Sequence, residues 1–290
     1  MKLKKNNILN KNNYRKTRPI FIVGSGRSGS KMLCELLNQI NRVESNHEYM
    51  CTHIQPLAVK YYMKILSREK VLKQLGSIYS SAIEYSKKPI WIDSSNKVSW
   101  VIDILFELFP NARFVHIVRD GRKVVSSFYN KLNNECYDDK SVSILTKWYN
   151  NPDKYIEPPP EKKYWWGIPI KGNKYYHRFK KFDQFERICF HWGEVTRTIV
   201  KEFNNLPDKS FITLKLEDII SKKKKLKLLL KFIGIKYHPE YYKILKRPQN
   251  IIKKEDKKLT PKQKKKFYDI SGDMMKLFRY DKSTEYDVKY

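Results

Sequence analysis

The sequence predicts an α/β protein in which helices flank a central, mostly parallel β-sheet. Short runs that are apolar throughout alternate along the chain with longer segments whose apolar residues recur every three or four positions. The short runs lack the polar alternation of a half-exposed strand, which indicates burial on both faces. Strands of this kind that alternate with helices pair in parallel through crossover connections. The 290 residues suffice for one large domain.

The first predicted strand leads into a glycine-rich loop and then into a helix. The strand covers residues 20–23, and GSGRSGS follows it at 24–30. Apolar residues then recur at the i, i+3, i+4, i+7 spacing of a buried helix face, at Leu33, Leu36, Leu37 and Ile40. A loop that joins a strand to a helix N-terminus directs backbone N–H groups at an anion, so this unit is typical of a phosphate site.

The alternation of strands and helices continues along the chain. Strands are predicted at 90–93, at 113–118 and within SFITLKLEDI, and helices within WVIDILFELF, within GRKVVSSFYNKL and at 222–233. Between about 133 and 180 the sequence is rich in proline and aromatic residues and has no period, which predicts a long excursion from the sheet. Its aromatic residues would either stack on a bound acceptor or pin the excursion to the core.

The N-terminal residues 1–18 are basic and polar, so we expect a disordered arm before a single domain over 19–290. They contain no apolar segment typical of a secretion signal, and no run of about 18 apolar residues occurs, which favours a cytoplasmic protein. The four cysteines are far apart and favour free thiols. His47, Cys51 and His53 do not have the spacing of a common metal site, so no metal is expected.

The formal net charge of +30 indicates an anionic partner, such as nucleic acid, an acidic membrane surface, a polyanionic glycan or a phosphorylated cosubstrate. The lysines are spread along the chain rather than gathered in one block, so we expect most of them on solvated surfaces. Charge alone therefore names no partner. A basic nucleic-acid-binding protein is an alternative function that rests on charge only.

The glycine-rich loop partly satisfies two known phosphate motifs. Its glycines fit the G-x-G-x-x-G pattern of dinucleotide folds, for which Glu44 could hold the ribose. The Walker loop of kinases needs a lysine directly after the second conserved glycine, whereas this chain has Ser30 there and Lys31 one place late. A P-loop kinase would therefore lose its main charge and its magnesium ligand, although it stands as an alternative function.

Two separate phosphate sites fit the residues better. Arg27 and residues 28–30 offer a guanidinium, two hydroxyls and backbone N–H groups around one small anion. The strand at 113–118 delivers Arg119 to its C-terminal end, and Ser127 lies about two turns into the following helix. A guanidinium and a hydroxyl held in this way can bind a second phosphate.

The two motifs resemble, in order and content, the nucleotide-binding motifs of the sulfotransferases that use 3′-phosphoadenosine 5′-phosphosulfate (PAPS). Their sequences are IFIVGSGRSGS and FVHIVRDGRKVVSS. The similarity continues in FPNARFVHIVRDGR, FITLKLEDIISKKKKLKLLLKFIGI and LTPKQKKKFYDISGDMMKLFRY, and covers most of 19–280 except the excursion. The resemblance implies a three-layer fold like that of P-loop NTPases. It also implies in-line transfer of the sulfuryl group of PAPS, without a metal, to a hydroxyl or amine of a small molecule, glycan or peptide, with a glycan favoured.

The resemblance assigns roles to individual residues. Arg27 and Lys31 would place positive charge at the transferring sulfuryl group. The 5′-phosphosulfate would be bound by Arg27, Ser28, Gly29, Ser30 and Lys31. The 3′-phosphate would be bound by Arg119 and Ser127, with a late basic contact from Arg247 or Lys253 in KRPQNIIKK.

A base must also take the proton of the acceptor. Glu48 in NHEYM occupies the place of the base in the tyrosylprotein branch of the family, and the adjacent His47 is the alternative. Relatives carry a lysine in an Asp-Lys-x-Pro-like stretch after the third strand, where IDSSNKV has Ser94 and Ser95. We expect Lys31 to replace that lysine.

Overall fold

The computed structural model describes residues 17–246, 257–282 and 286. Five strands in this part form one sheet in the order β2-β3-β1-β4-β5, and all neighbouring strands are parallel. They are β1 (Arg18–Val23), β2 (Val43–His47), β3 (Ile90–Ser94), β4 (Arg113–Val118) and β5 (Phe211–Lys215). The predicted α/β fold with a parallel sheet between layers of helices is confirmed.

Twelve α-helices lie in the described part of the chain. They are α1 (Ser30–Asn38), α2 (Cys51–Tyr62), α3 (Arg68–Tyr85), α4 (Ile102–Leu108), α5 (Gly121–Lys131), α6 (Asp139–Asn150), α7 (Tyr176–Phe179), α8 (Gln184–Phe203), α9 (Leu216–Ser221), α10 (Lys223–Ile233), α11 (Pro239–Leu245) and α12 (Pro261–Leu277). Short 3₁₀ turns occur at Lys97–Trp100, Asn133–Glu135, Lys162–Tyr164 and Asp208–Ser210. None of the helices described here has both the length and the apolar character to cross a bilayer.

The two faces of the sheet bury separate apolar clusters. Phe21 and Val23 of β1 pack with residues of α2 to α5, α8 and α12, whereas Ile20 and Ile22 pack with α1 and α9 to α11. All four β1 residues are almost completely buried. This two-sided burial explains why the strand is apolar without alternation.

The strand order places the candidate site residues along one edge of the sheet. Because all strands are parallel, the segments that leave the ends of β1, β2, β3 and β4 emerge at the same edge, with β1 between β3 and β4. The order also differs from the 3-2-1-4-5 arrangement of dinucleotide folds. Glu44 is the second residue of β2, far from that edge, and accepts a hydrogen bond from Ser86 Oγ at 2.7 Å. The dinucleotide interpretation is therefore not supported.

The excursion at about 133–180 is more ordered than its sequence suggests. It contains α6 and α7, and its aromatic side chains Trp148, Trp165, Trp166 and Tyr175 are buried in the larger cluster. Their burial fits the alternative in which aromatic residues pin the excursion to the core, rather than stack on a bound acceptor.

The boundary of the N-terminal arm falls earlier than expected. Arg18 is already the first residue of β1, and Thr17 Oγ1 donates a hydrogen bond to the carbonyl of Lys88 at 2.9 Å. Residues 1–16 of the predicted arm lie outside the described part. All four cysteines lie inside it and are free.

Candidate active site

The loop after β1 has an unusual backbone. Gly26, Arg27 and Gly29 have φ values of 83°, 52° and 88°, all in the left-handed region. Residues in this region turn successive N–H groups towards the inside of the loop, an arrangement that binds anions. Gly29 is the N-cap of α1 and has no side chain to satisfy the first N–H groups of the helix. These groups are therefore available to a ligand.

Glycine is required in this loop by close contacts as well as by φ. A Cβ atom on Gly26 would lie 2.8 Å from Asn96 Nδ2 and 3.1 Å from the ring of Phe128. A Cβ atom on Gly29 would lie 2.6 Å from Leu216 Cδ1. The loop thus packs against the segment after β3, against α5 after β4 and against α9 after β5, and these contacts fix its position.

The two phosphate motifs meet at this loop. Arg27 Nε donates a hydrogen bond to Ser127 Oγ at 3.0 Å. Arg119 Nη1 donates to the carbonyl oxygen of Arg27 at 2.8 Å. Arg119 and Ser127 are both buried. The structure therefore brings together the residues that the sequence assigned to two separate phosphates.

A network of ionic contacts fixes the start of α5 and with it Arg119. The carboxylate of Asp120 caps the helix by accepting from the N–H of Arg122 at 2.9 Å, and it pairs with the Arg122 guanidinium at 2.7 Å. The N–H of Asp120 donates to Glu217 Oε1 at 3.1 Å. Arg122 is thus committed to Asp120, whereas Arg119 is the arginine of the motif RDGR that reaches the loop.

Polar side chains of α8 and of the turn Lys97–Trp100 also hold the loop in place. His191 Nε2 lies 2.8 Å from the carbonyl oxygen of Ser25, and burial lowers the pKa of His191 to about 3. The ring is therefore neutral, and Nε2 carries the proton that it donates. Ser99 Oγ lies 3.1 Å from both the N–H and the carbonyl of Gly24. These contacts fix the conformation of the start of the loop.

Glu48 lies directly after β2, beside the end of β3. Its N–H donates to the carbonyl of Ser94 at 3.2 Å, and its φ is 54°. Lys162 Nζ, from the excursion, donates to both carboxylate oxygens at 2.9 and 3.1 Å, and Lys97 Nζ lies 3.8 Å from Oε1. Burial alone would raise the pKa of Glu48, but the two ammonium groups outweigh it and lower the pKa to about 2.

Lys97 is a site residue that the sequence analysis missed. Its side chain is 3% exposed, and Nζ makes no hydrogen bond to any residue that the structure describes. The ammonium lies 4.8 Å from the ring centroid of Trp166. Burial lowers the pKa of Lys97 to about 7, although Glu48 raises it. A buried cation without a hydrogen-bond partner is costly, which makes it a candidate to receive an anionic ligand.

Lys97 is a second candidate, beside Lys31, for the role of the lysine that relatives carry after the third strand. The residue comes two positions after Ser95, and the turn Lys97–Trp100 brings its side chain back to the edge of the sheet. A lysine among small and apolar residues directly after a buried strand, in SSNKVSWVI, was the signal that could have revealed it. Lys31, the expected replacement, is exposed in the first turn of α1.

The remaining predicted residues lie at or near the same edge. Ser28 is buried in the loop, and Ser30 begins α1. His47 Nδ1 lies 2.8 Å from the carbonyl oxygen of Ser94, so Nδ1 donates its proton, and burial lowers the pKa of His47. Arg247 and Lys253 lie outside the described residues. In the described part, no cluster of three or more His, Cys, Asp or Glu side chains could hold a metal.

The sequence and the fold agree with one enzyme family. Residues 19–157 match the family model described as "Sulfotransferase family". Over these residues, just under half of the chain, the protein is similar to the sulfotransferases. No curated protein matches the chain in sequence.

Solved sulfotransferases share the fold at low sequence identity. The sulfotransferase domain of the olefin synthase of Synechococcus PCC 7002 is 16% identical, with a TM-score of 0.53 over 94% of this chain and 97% of that one. A sulfotransferase from Alicyclobacillus acidocaldarius is 11% identical, with a TM-score of 0.49 over 91% and 96%. A mouse sulfotransferase complexed with PAP is 14% identical, with a TM-score of 0.44 over 92% and 89%.

A buried carboxyl group, that of Asp93, anchors the turn that carries the base candidate Glu48. Asp93 of β3 is fully buried and accepts hydrogen bonds from Tyr79 OH at 2.7 Å and from the N–H of Tyr49 at 3.2 Å. Burial raises the pKa of Asp93 to about 7, although these hydrogen bonds lower it. Because Tyr49 follows Glu48, Asp93 anchors the turn that carries Glu48.

Asp93→Asn should change how the stability of the sulfotransferase depends on pH. The folded-state pKa lies above the ordinary value of 3.8, so Asp93 contributes stability that is complete at low pH and is lost as the pH rises through about 7. Relative to the variant, the free energy of unfolding of the wild type should therefore fall by about 3 kcal/mol between pH 5 and pH 8.

Urea unfolding of both proteins at these two pH values measures this difference, because other titrating groups cancel in the comparison. Tyr79→Phe is the control: it removes one hydrogen bond but keeps the carboxyl group, so it should retain the fall. A constant gap between the wild type and Asp93→Asn would contradict the raised pKa.

Proposed function

We propose that this sulfotransferase uses PAPS and transfers its sulfuryl group by in-line displacement to a hydroxyl or amine of an acceptor. The observation that carries the proposal is the meeting of the two anion-binding motifs, in which Arg27 contacts Ser127 and Arg119 contacts the Arg27 carbonyl. One nucleotide with a phosphate at each end of its ribose is the ligand that needs two such motifs side by side.

The residues at the edge of the sheet fit the two ends of this nucleotide. The left-handed loop and the start of α1 would bind the 5′-phosphosulfate through Arg27, Ser28, Gly29, Ser30 and Lys31. The buried guanidinium of Arg119 and the hydroxyl of Ser127 would bind the 3′-phosphate. A late contact from Arg247, outside the described residues, is part of the proposal by resemblance only.

Charge placement would supply most of the catalysis. In a loose transition state, charge grows on the sulfuryl oxygens and on the leaving phosphate. Arg27, at the 5′ end of the nucleotide, and Lys97, on the acceptor side, can stabilise this charge without reorganisation because both are held in the folded site. Glu48 would take the proton of the acceptor hydroxyl as the new O–S bond forms.

A glycan is the acceptor class that we favour. The proposal is supported by the net charge of +30 and by the ammonium groups of Lys97 and Lys162 beside the base candidate. A cytoplasmic location is part of the same proposal and is supported by the four free thiols.

Ser127→Ala should selectively weaken the site for the 3′-phosphate. Adenosine 3′,5′-bisphosphate without metal should raise the melting temperature of the wild type more than adenosine 5′-monophosphate does, because only the former has both phosphates. The variant should lose about tenfold in affinity for the bisphosphate and little for the monophosphate.

Ser81→Ala is the control, because Ser81 is exposed on α3 and its hydroxyl bonds only to the carbonyl of Ser77 in the same helix. Stabilisation by ATP with magnesium, and not by the bisphosphate, would contradict the proposal and favour a kinase.

Glu48→Gln should lower kcat by about 100-fold or more with little change in nucleotide affinity, because it removes the base and keeps the shape of the side chain. Transfer from radiolabelled PAPS to a panel of glycans, phenols and peptides measures kcat. His47→Gln is the matched control and should retain most of the activity. If His47→Gln loses the activity and Glu48→Gln retains it, the base is His47.

The two lysines beside the loop should differ in their kinetic effects. Lys97→Met removes a buried ammonium that faces Glu48, so it should lower kcat more than nucleotide affinity. Lys31→Ala changes the first turn of α1, so it should weaken nucleotide binding more than it lowers kcat. The opposite pattern would return the sulfuryl contact to Lys31, as the resemblance implied.

A further inference from the structure

We infer that Lys162 binds an anionic group of the acceptor next to the reacting hydroxyl, so that this sulfotransferase selects acceptors that already carry a negative charge. The inference rests on the proposed function, because it concerns the acceptor side of the same site. The acceptor class is a hydroxyl compound with a carboxylate, phosphate or sulfate ester nearby.

The first argument is the position of the Lys162 ammonium. It donates to both carboxylate oxygens of Glu48, the base candidate. The Glu48 side chain is only 20% exposed, and Nζ of the buried Lys97 lies 3.8 Å from its Oε1. An acceptor hydroxyl must therefore take the place that Lys162 occupies in order to reach Glu48. The ion pair with Lys162 therefore blocks access to the Glu48 carboxylate.

The second argument is that the ammonium can move while its backbone stays in place. Gln55 Nε2 donates to the carbonyl of Lys162 at 3.2 Å and to that of Trp165 at 2.5 Å, and Trp165 is buried. The Lys162 side chain, by contrast, is 42% exposed. A lysine side chain has four rotatable bonds, so it can swing away from Glu48 and remain at the mouth of the site.

The third argument is charge balance. Two ammonium groups, of Lys97 and Lys162, face the single carboxylate of Glu48. When a hydroxyl displaces Lys162, the ammonium loses its carboxylate partner and remains beside the bound acceptor. A neutral acceptor leaves the Lys162 ammonium without an anionic partner, whereas an acidic acceptor supplies a new carboxylate, phosphate or sulfate.

The displacement would also prepare the base. Lys162 is one of the two ammonium groups that lower the pKa of Glu48. Its departure makes the carboxylate more basic at the moment when an acceptor hydroxyl arrives. Lys97, His47 and Asp93 also interact electrostatically with Glu48. Selection of the acceptor and activation of the base are therefore coupled through one side chain.

Matched acceptors test the inference. 4-Nitrophenyl β-D-glucuronide and 4-nitrophenyl β-D-glucoside differ only at C6, which is a carboxylate in the first and a hydroxymethyl group in the second. 4-Hydroxyphenylacetate and 4-hydroxyphenylacetamide form a phenolic pair in which both members offer the same single hydroxyl. In at least one pair the wild type should prefer the acid by about tenfold or more in kcat/KM, and Lys162→Ala should abolish this preference through a higher KM for the acid.

Lys163→Ala is the control for net charge. Lys163 is exposed, and its ammonium lies 4.9 Å from the ring of Tyr164 rather than at Glu48. This variant should retain the preference for the acid. Equal losses in Lys162→Ala for both members of a pair would place Lys162 at the transferring group and overturn the inference.

A binding measurement separates this inference from the proposed function. Each compound is titrated calorimetrically into the protein saturated with adenosine 3′,5′-bisphosphate, where no transfer can occur. Tighter binding of an acid that depends on Lys162, without transfer from PAPS, supports the inference and refutes the proposed function. If the protein transfers the sulfuryl group but shows no preference for the acid that depends on Lys162, the proposed function is supported and the inference is refuted. If neither kinetics nor binding shows such a preference in either pair, the inference is wrong.

Discussion

The hydrogen bond from Arg119 to the main-chain carbonyl of Arg27 ties two strands and two motifs into one site. A buried guanidinium needs acceptors, and the loop after β1 provides one only because its left-handed residues turn that carbonyl towards β4. Gly26 and Gly29 permit the turn, since neither position has space for a Cβ atom. The electrostatics of the nucleotide site thus depend on a backbone conformation that two glycines make possible.

The charges at the edge of the sheet are not balanced by the protein alone. Lys97 is buried without a hydrogen-bond partner in the described part, and Glu48 faces two ammonium groups. Such an arrangement costs folding stability, which anionic ligands would restore on binding. Asp93 adds to the cost because it is fully buried below the same turn. The family match and the fold indicate the enzyme class, and these unbalanced charges are the reason why we propose two anionic substrates for its site.

The sequence predicted the parts of the fold in which local pattern and burial agree. The apolar runs of β1 and β4 are buried on both faces, so their sequences have only one good interpretation. β2 was not predicted, because VESNH is short and polar and forms a strand only through its pairing with β3. Lys97 was missed for a similar reason: its local pattern indicates a buried lysine, but the contact with Glu48 depends on the turn after β3. In the excursion, burial of Trp165 and Trp166 depends on tertiary contacts that composition cannot indicate.

In the proposed function, the order of the strands divides the two substrates between the halves of the sheet. β4 and α5 would supply groups for the donor, and the segments after β2 and β3 would supply those for the acceptor, with the loop of β1 between them. The excursion that begins after α5 brings Lys162 to Glu48, which directly follows β2. Mutations on the β2 side, or in the excursion, can therefore alter what is sulfated while the half that recognises the nucleotide is left untouched. In such a scaffold, new acceptor preferences can evolve without any change in how the donor is held.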